Sequence, residues 1–409
     1  VNEVLSIGLI LMAALTAGHL AQLIRLPEVT GYLAVGMLIG PSALDLITHD
    51  NLTALAILSE VALGLILFNI GAIFEASAFR QLGPGVARIT LWEASLAFVL
   101  VAASLLAVGV DWPLALLLGC VAMETAPATT LMVLNEYDAE GPMTDRLLAL
   151  VALNNTYVLI VFGVITATLT LLTPSPDPWL LSGYRAVHGL GWTIFGSIAL
   201  GALVGVATDL WAARVKESGE AMILAAGVVL LTVGASRWLG VSPLIATLSL
   251  GAMVANGSRH GGQLLKALRR ADPPIYAAFF VLAGAELVPG SLLTLGLAGA
   301  VYLAARATGK IVGTRIALRS QEVPELVRQQ LGYCLISSSS LAVGLTIQIR
   351  AIFPQYAVTV TGIVLAAVLI FEVIGPLLLR RALVLTGEAR TIPSPLDVTA
   401  DTDSVSLPT

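Results

Sequence analysis

The chain has 409 residues, 57% of them hydrophobic and only 11% charged, with a formal net charge of −5. A soluble domain carries roughly a quarter charged residues, so the deficit, with a mean hydropathy of +0.92, excludes an ordinary soluble protein. Cys120 and Cys334 both sit inside apolar runs as small packing residues, with no disulfide or metal-ligand spacing, and no GxxxxGK[ST] loop offers ATP as an energy source.

Apolar runs near the ~20 residues needed to cross a bilayer recur from end to end. They do not alternate as barrel strands would, so they read as helices, whose backbone satisfies itself in lipid. In chain order the spans are predicted near 4–24, 29–48, 52–74, 86–110, 113–134, 144–172, 187–212, 219–238, 241–257, 273–288, 291–318, 326–350 and 354–385. The first run is too long and too lightly flanked for a cleaved signal and is kept as a span. The lack of an initial methionine predicts a processed start. From 387 to 409 the chain turns polar and rich in Pro, Ser and Asp, which predicts a flexible tail or a linker to a further domain.

The loops give the sidedness. Of the 21 Lys and Arg, three (Arg185, Arg237 and Arg350) fall on one side. Arg306 and Lys310 lie within a span, and the other sixteen fall on the opposite side with the C-terminus. That asymmetry predicts an N-terminus outside and a cytoplasmic C-terminus, in the plasma (inner) membrane. The four histidines, His19, His49, His188 and His260, fall at or near interfaces without ligand spacing.

Two spans are interrupted at their middles. The fifth contains Thr125-Ala126-Pro127-Ala128-Thr129-Thr130, and the twelfth contains Ser337-Ser338-Ser339-Ser340 followed by Gly344. With the seventh span (187–212) as a connector, the breaks fall in the fifth span of each half, about 1–175 and 219–386. Six spans per half plus a connector invert one half relative to the other. Broken helices at matching positions of inverted repeats point to a transporter's midplane site. The fold expected is an all-α polytopic membrane protein of about 13 transmembrane helices in two inverted six-helix repeats.

The segment Leu26-Pro27-Glu28-Val29-Thr30-Gly31-Tyr32-Leu33 with Gly36, Gly40, Pro41 and Ser42 carries a likeness, as does Leu58 to Phe68 with Gly71. Leu118-Gly119, Thr125 to Thr130, Ser249-Leu250-Gly251-Ala252, Phe279 to Glu286 and Gly309-Lys310 follow in order. Together, over roughly 4–385, they resemble the monovalent cation:proton antiporter superfamily, in the branch of sodium/proton and glutathione-gated potassium/proton antiporters. The resemblance implies a core that moves against a scaffold, alternating access, a homodimer and no cofactor. It also implies a sixth-span acidic pair whose second Asp binds cation and proton in competition. Here the pair is Asn154-Asn155. An amide coordinates a cation through its oxygen but takes up no proton.

Ionisable groups at membrane depth are costly and tend to mark the pathway. Glu124, immediately before the fifth-span break, is the candidate to replace the missing acid; the alternative is a structural cap. Lys310, where the resemblance places a buried lysine, needs a counter-charge in place of Asn154, and Glu124 is expected to supply it; the alternative is a neutral lysine that itself carries the proton. Arg306, four residues earlier on the same helical face, is a candidate partner in that role; snorkelling to an interface is the alternative, more so for Arg306 than for Lys310. The hydroxyls of Thr125, Thr129, Thr130, Ser337, Ser338, Ser339 and Ser340 suit either a hard cation or the backbone freed at the breaks. Glu60 reads as helix packing and Glu286 as interfacial. Glu93 is a further intramembrane carboxylate, and Glu372 has no assigned role.

The expected function is secondary transport exchanging Na⁺ or K⁺ for protons. The alternative is an anion or small organic solute carried on the same fold, motivated by the Asn pair and the two intramembrane cations. No nucleophile–base or metal cluster points to an enzyme, and nothing points to nucleic acid as a partner.

Overall fold

The computed structural model describes residues 2–24, 26–73, 76–172, 188–189, 191–215, 217–257, 262, 264–265, 272–287, 290, 296–338 and 340–390. Among them the secondary structure is helical throughout. The first half contains α1 (Glu3–Leu23), α2 (Glu28–Ile39), α3 (His49–Ile73), α4 (Ala76–Ala107), α5 (Trp112–Ala122), α6 (Pro127–Glu136) and α7 (Pro142–Leu172). A π-helical turn, Trp192–Gly196, leads into α8 (Ser197–Ala212). The second half contains α9 (Ser218–Leu239), α10 (Pro243–Gly257), α11 (Asp272–Glu286), α12 (Gly296–Leu318), α13 (Glu325–Cys334), α14 (Ser340–Ile352) and α15 (Ala357–Thr386).

Eight helices, with α5 and α6 joined as one, are long and apolar enough to cross a bilayer. The shorter apolar α2, α10, α11 and α14, and α12 with its three cations, lie where the sequence predicts the remaining spans. Local chemistry sets the ends. Asn2 caps α1 by accepting from Leu5 N at 2.8 Å, and α9 and α15 stop at Gly240 and Gly387, both with positive φ.

The second span is shorter than the predicted 29–48. Pro41 cannot continue a helix, so α2 stops at Ile39 and spans only about 18 Å. Residues 40–47 then fold back, with Ser42 Oγ donating to Leu287 O at 2.9 Å and Ile47 N to Ile39 O. The span ends predicted at 74, 187, 288 and 291 lie outside the described residues, as do the repeat boundary near 175 and Ser339, His260, Arg25, Arg185, Lys216, Arg259, Lys266, Arg269 and Arg270.

The two halves pack by exchange. Helix α2 lies against α11 and α3 against α10, which are equivalent pairs when the halves are swapped. Both crossings are built on glycine. A Cβ on Gly36 would meet Val281 O and one on Gly284 would meet Leu33 O; at the other crossing Gly71 meets Leu248 O and Gly251 meets Phe68 O. Lipid tails give helices no hydrophobic reason to associate, so close backbone approach through small residues supplies the packing. Helices α4 and α12 meet in the same way, Gly309 on Ala97 and Gly313 on Glu93 and Trp92. The result is two bodies: α1–α3 with α8–α11, and a core of α4–α7 with α12–α15.

The tail expected from 387 is held at its start. The Glu388 carboxylate caps α7, accepting from Met143 N and Thr144 N at 2.7 Å each and from Thr144 Oγ1 at 2.8 Å. Arg390 forms an ion pair with Glu140, and its N–H donates to Tyr137 O. A helix N-terminus has free N–H donors, and an adjacent carboxylate satisfies them. Residues 391–409 lie outside the described residues.

Gly251→Ala drives a methyl into the Phe68 carbonyl and is expected to cost about 1–3 kcal/mol. Gly234→Ala enters open space in the same half and is expected to leave stability unchanged or slightly raised. Thermal melts of the two purified variants in one detergent distinguish these outcomes.

Candidate functional site

Helix α5 ends at Ala122 and α6 starts at Pro127, leaving residues 123–126 unwound; α13 ends at Cys334 and α14 starts at Ser340. The two breaks touch. Ala126 N donates to Ser337 O at 3.2 Å and Thr125 Oγ1 to Leu335 O at 3.3 Å. Each break strands carbonyls at a half-helix C-terminus, which is a negative pole without water.

Two cations from α12 meet those poles. Arg306 Nη1 donates to Ile336 O at 2.5 Å, and Nη2 reaches Glu124 O at 2.9 Å and Ser337 O at 3.2 Å, tying one break to the other. Lys310 Nζ donates to Met123 O at 2.5 Å and to Thr125 Oγ1 at 2.7 Å. Both side chains are 0% exposed, and the Arg306 guanidinium stacks 4.5 Å from the Phe371 ring centroid. Arg306 does not snorkel to an interface. Three carbonyls need its fork of donors, and an interface would leave them bare.

Three carboxylates surround the two cations. Glu93, from α4, lies 3.1 Å from Lys310 Nζ and accepts from Asn154 Nδ2 at 2.5 Å. Glu124 lies 3.4 Å from Arg306 Nη2 and accepts from Ser338 Oγ at 2.5 Å. Glu372, from α15, accepts from Thr129 Oγ1 at 2.7 Å, with Glu124 and Arg306 within electrostatic reach. The expected Lys310–Glu124 pair is therefore replaced by Lys310–Glu93 and Arg306–Glu124. The reason is the glycine contact of α4 and α12, which sets the Glu93 backbone against Gly313 and brings its carboxylate to Lys310.

The sixth-span amides sit at the edge of this cluster. Asn154 is buried; its Nδ2 also donates to Met123 O at 3.0 Å, while Oδ1 has no hydrogen-bond partner. Asn155 Oδ1 is likewise buried without one. Asn155 borders an apolar seam in which Leu63, Leu67 and Leu248 of α3 and α10 face Pro127, Leu159 and Leu341 of the core.

Of the residues singled out in the sequence, Glu124, Thr125, Pro127, Thr129, Asn154, Arg306, Lys310, Ser337 and Ser338 gather at the two breaks, and Asn155 stands beside them. Glu60 lies apart, paired with Arg237 at 3.1 Å. Sequence reasoning gave Glu93 and Glu372 no part here. Their only signal was a carboxylate in an apolar helix. For Glu93, the small residues of α4 and α12 at matching spacing were a further hint. Neither Arg306 nor Lys310 presents a free charge to an anion, which removes the motive for the alternative substrate.

Breaking one pair member in a dry site is expected to cost about 3–5 kcal/mol. Lys310→Met should therefore destabilise strongly, and adding Glu93→Gln should recover most of the loss, whereas adding Glu124→Gln should not. Thermal melts of the two double variants against Lys310→Met alone check the pairing.

The family described as "Sodium/hydrogen exchanger, transmembrane" matches residues 9–384. The ammonium/H(+) antiporter subunit AmhT of Alkalihalophilus pseudofirmus is 22% identical over 283 residues, 68% of this chain and 70% of that protein. The iron transporter MagA of Paramagnetospirillum magneticum is 28% identical over 133 residues, 32% of this chain and 30% of that protein. Among solved structures, the sodium proton antiporter MjNhaP1 of Methanocaldococcus jannaschii superposes with a TM-score of 0.76 at 14% identity, covering 95% of this chain and 98% of that one. The same antiporter at pH 8 gives a TM-score of 0.66 at 16% identity, covering 94% and 95%.

Proposed function

The chain belongs to the sodium/hydrogen exchanger family of cation:proton antiporters, and on that premise we propose that Glu124 and Glu372 together carry the exchanged proton or monovalent cation. The observation that supports this reading is the charge count at the crossing: three buried carboxylates against two buried cations. Glu93 is matched by Lys310 and one further negative charge by Arg306. With all five groups ionised one negative charge is left over. A dry site does not tolerate an isolated charge, so it is occupied either by a proton or by one monovalent cation. That alternation is exchange.

The hydroxyls of Thr129 and Ser338 already bind the two carboxylates. The unpartnered amide oxygens of Asn154 and Asn155 offer hard ligands to a desolvated cation. Asn155 thus keeps the ligand role expected at its position, while proton uptake passes to the carboxylates of α5–α6 and α15. Lys310, Arg306 and Thr125 hold the breaks together so that the ligands stay in place. Access alternates as the core slides against α1–α3 and α8–α11, with the leucine seam beside Asn155 as the closed barrier.

The protein lies in the plasma (inner) membrane with its C-terminus cytoplasmic. Sixteen of the 21 Lys and Arg fall on the C-terminal side in the sequence, and this supports the positive-inside assignment. A homodimer is the expected assembly. The outer face of the π-helical turn and α8, with Phe195, Leu203 and Trp211 exposed, provides apolar surface in the membrane plane for lipid or the second copy.

In proteoliposomes loaded with a pH dye, Na⁺ or K⁺ should dissipate an imposed pH gradient, and the Glu124→Gln/Glu372→Gln double variant should abolish it. A double variant that still exchanges overturns the assignment. One excess charge neutralised by one proton or one cation also predicts one-for-one, electroneutral exchange. A potential-sensitive dye should then register no voltage during turnover, and a cation-evoked voltage would contradict the charge count.

A further inference from the structure

We propose a second binding site, for a phosphate-bearing anion, in the cleft where α12, α13 and α15 emerge on the Arg-rich side. The cleft has a volume of about 600 Å³ and is lined by Arg315, Arg319, Arg328 and Arg381, with Glu325 the single carboxylate among its lining residues. That volume falls within the range of small-molecule sites. The net charge of the lining is strongly positive, and only one of the four guanidiniums is neutralised. Arg328 Nη1 pairs with Glu325 at 2.6 Å. Arg315 leans on Tyr333, 5.5 Å from the ring centroid, with Nη2 donating to its hydroxyl at 3.2 Å, so it meets no carboxylate. Arg319 and Arg381 have no acidic partner among the described residues, and both are exposed.

Sidedness alone explains why arginines lie on this face. It does not explain why those of three separate helices converge on one concave space with so little acid between them. Like charges so placed repel, and an anion relieves that repulsion. Guanidinium forks match the tetrahedral oxygens of phosphate bidentately, and Gln329, Gln330 and the Tyr333 hydroxyl add neutral hydrogen-bonding groups at the wall. The phosphate can belong to a soluble compound or to an anionic lipid headgroup.

The site is separate from the ion crossing but mechanically joined to it. Helix α12 carries Arg306 and Lys310, α13 runs directly into the Leu335–Ser338 break, and α15 carries Glu372. An anion bridging their ends ties together three helices that build the ion crossing.

The test uses the full chain purified in a neutral detergent, titrated at constant ionic strength with two probes. One is inorganic pyrophosphate; the other is short-chain phosphatidylglycerol, with phosphatidylcholine of the same chain length as control. Saturable binding of at least one probe is expected, weakened about tenfold in Arg319→Gln and further in Arg319→Gln/Arg381→Gln. Arg237→Gln, on the opposite side, should bind as the parent does. Pyrophosphate binding alone identifies a soluble ligand, phosphatidylglycerol alone a lipid, and both a site that reads the phosphate itself. Binding no stronger than that of phosphatidylcholine, or equal in the double variant and the parent, overturns the proposal. Because these arginines lie outside the ion crossing, failure here leaves the exchange reading untouched.

Discussion

The structure depends on how two interrupted helices are made tolerable inside a membrane. Breaking α5–α6 and α13–α14 at mid-depth exposes the carbonyls of Met123, Glu124, Leu335, Ile336 and Ser337 where no water can reach them. Arg306 and Lys310, one helical turn apart on α12, cover all but one of these, and the Thr125 hydroxyl covers Leu335 O. Two positive charges at the negative poles of two half-helices make the crossing stable. They also create the need for counter-charge, and the carboxylates answer it with one to spare.

The surplus links architecture to chemistry. A cluster of two cations and two acids would be neutral and inert. On the proposed reading, the third acid leaves one negative charge for a bound positive ion, and a proton and a metal cation are equally acceptable as charge. Hydroxyl and amide oxygens decide which metal ions fit, since they replace hydration water at fixed positions. The substitution of amide for acid at Asn155 therefore does not remove exchange from this scaffold. On the proposed reading, the titrating group lies not on α7 but on segments that converge on the same guanidinium.

Glycine governs the second requirement, that the core move. The two symmetry-equivalent crossings, Gly36 with Gly284 and Gly71 with Gly251, bring backbones into direct contact within the body formed by α1–α3 and α8–α11. Between that body and the core lies the leucine seam, built from apolar side chains of both. A rigid panel and a greasy interface are what a sliding core needs.

Hydropathy gave the helical, membrane-spanning character and the expectation of about thirteen crossings, since a run of apolar residues has only one way to satisfy its backbone in lipid. Loop arginines determined the sidedness expectation, and Pro127 with the serine run located the breaks, because these are one-dimensional properties. Inversion of the halves followed from parity. Tertiary structure alone decided the pairing of charges. Glu93 and Lys310 are more than two hundred residues apart, and only the Gly309–Ala97 and Gly313–Glu93 contacts bring them together. It decided that Arg306 is a clamp rather than a snorkelling side chain, since three carbonyls from two distant breaks meet at its fork. It also placed Glu388 on the α7 N-terminus, where a stretch that reads as polar tail becomes a cap. In each case the reason is physical. Burial and partner depend on which helices touch, and a sequence states what a residue is but not what stands opposite it.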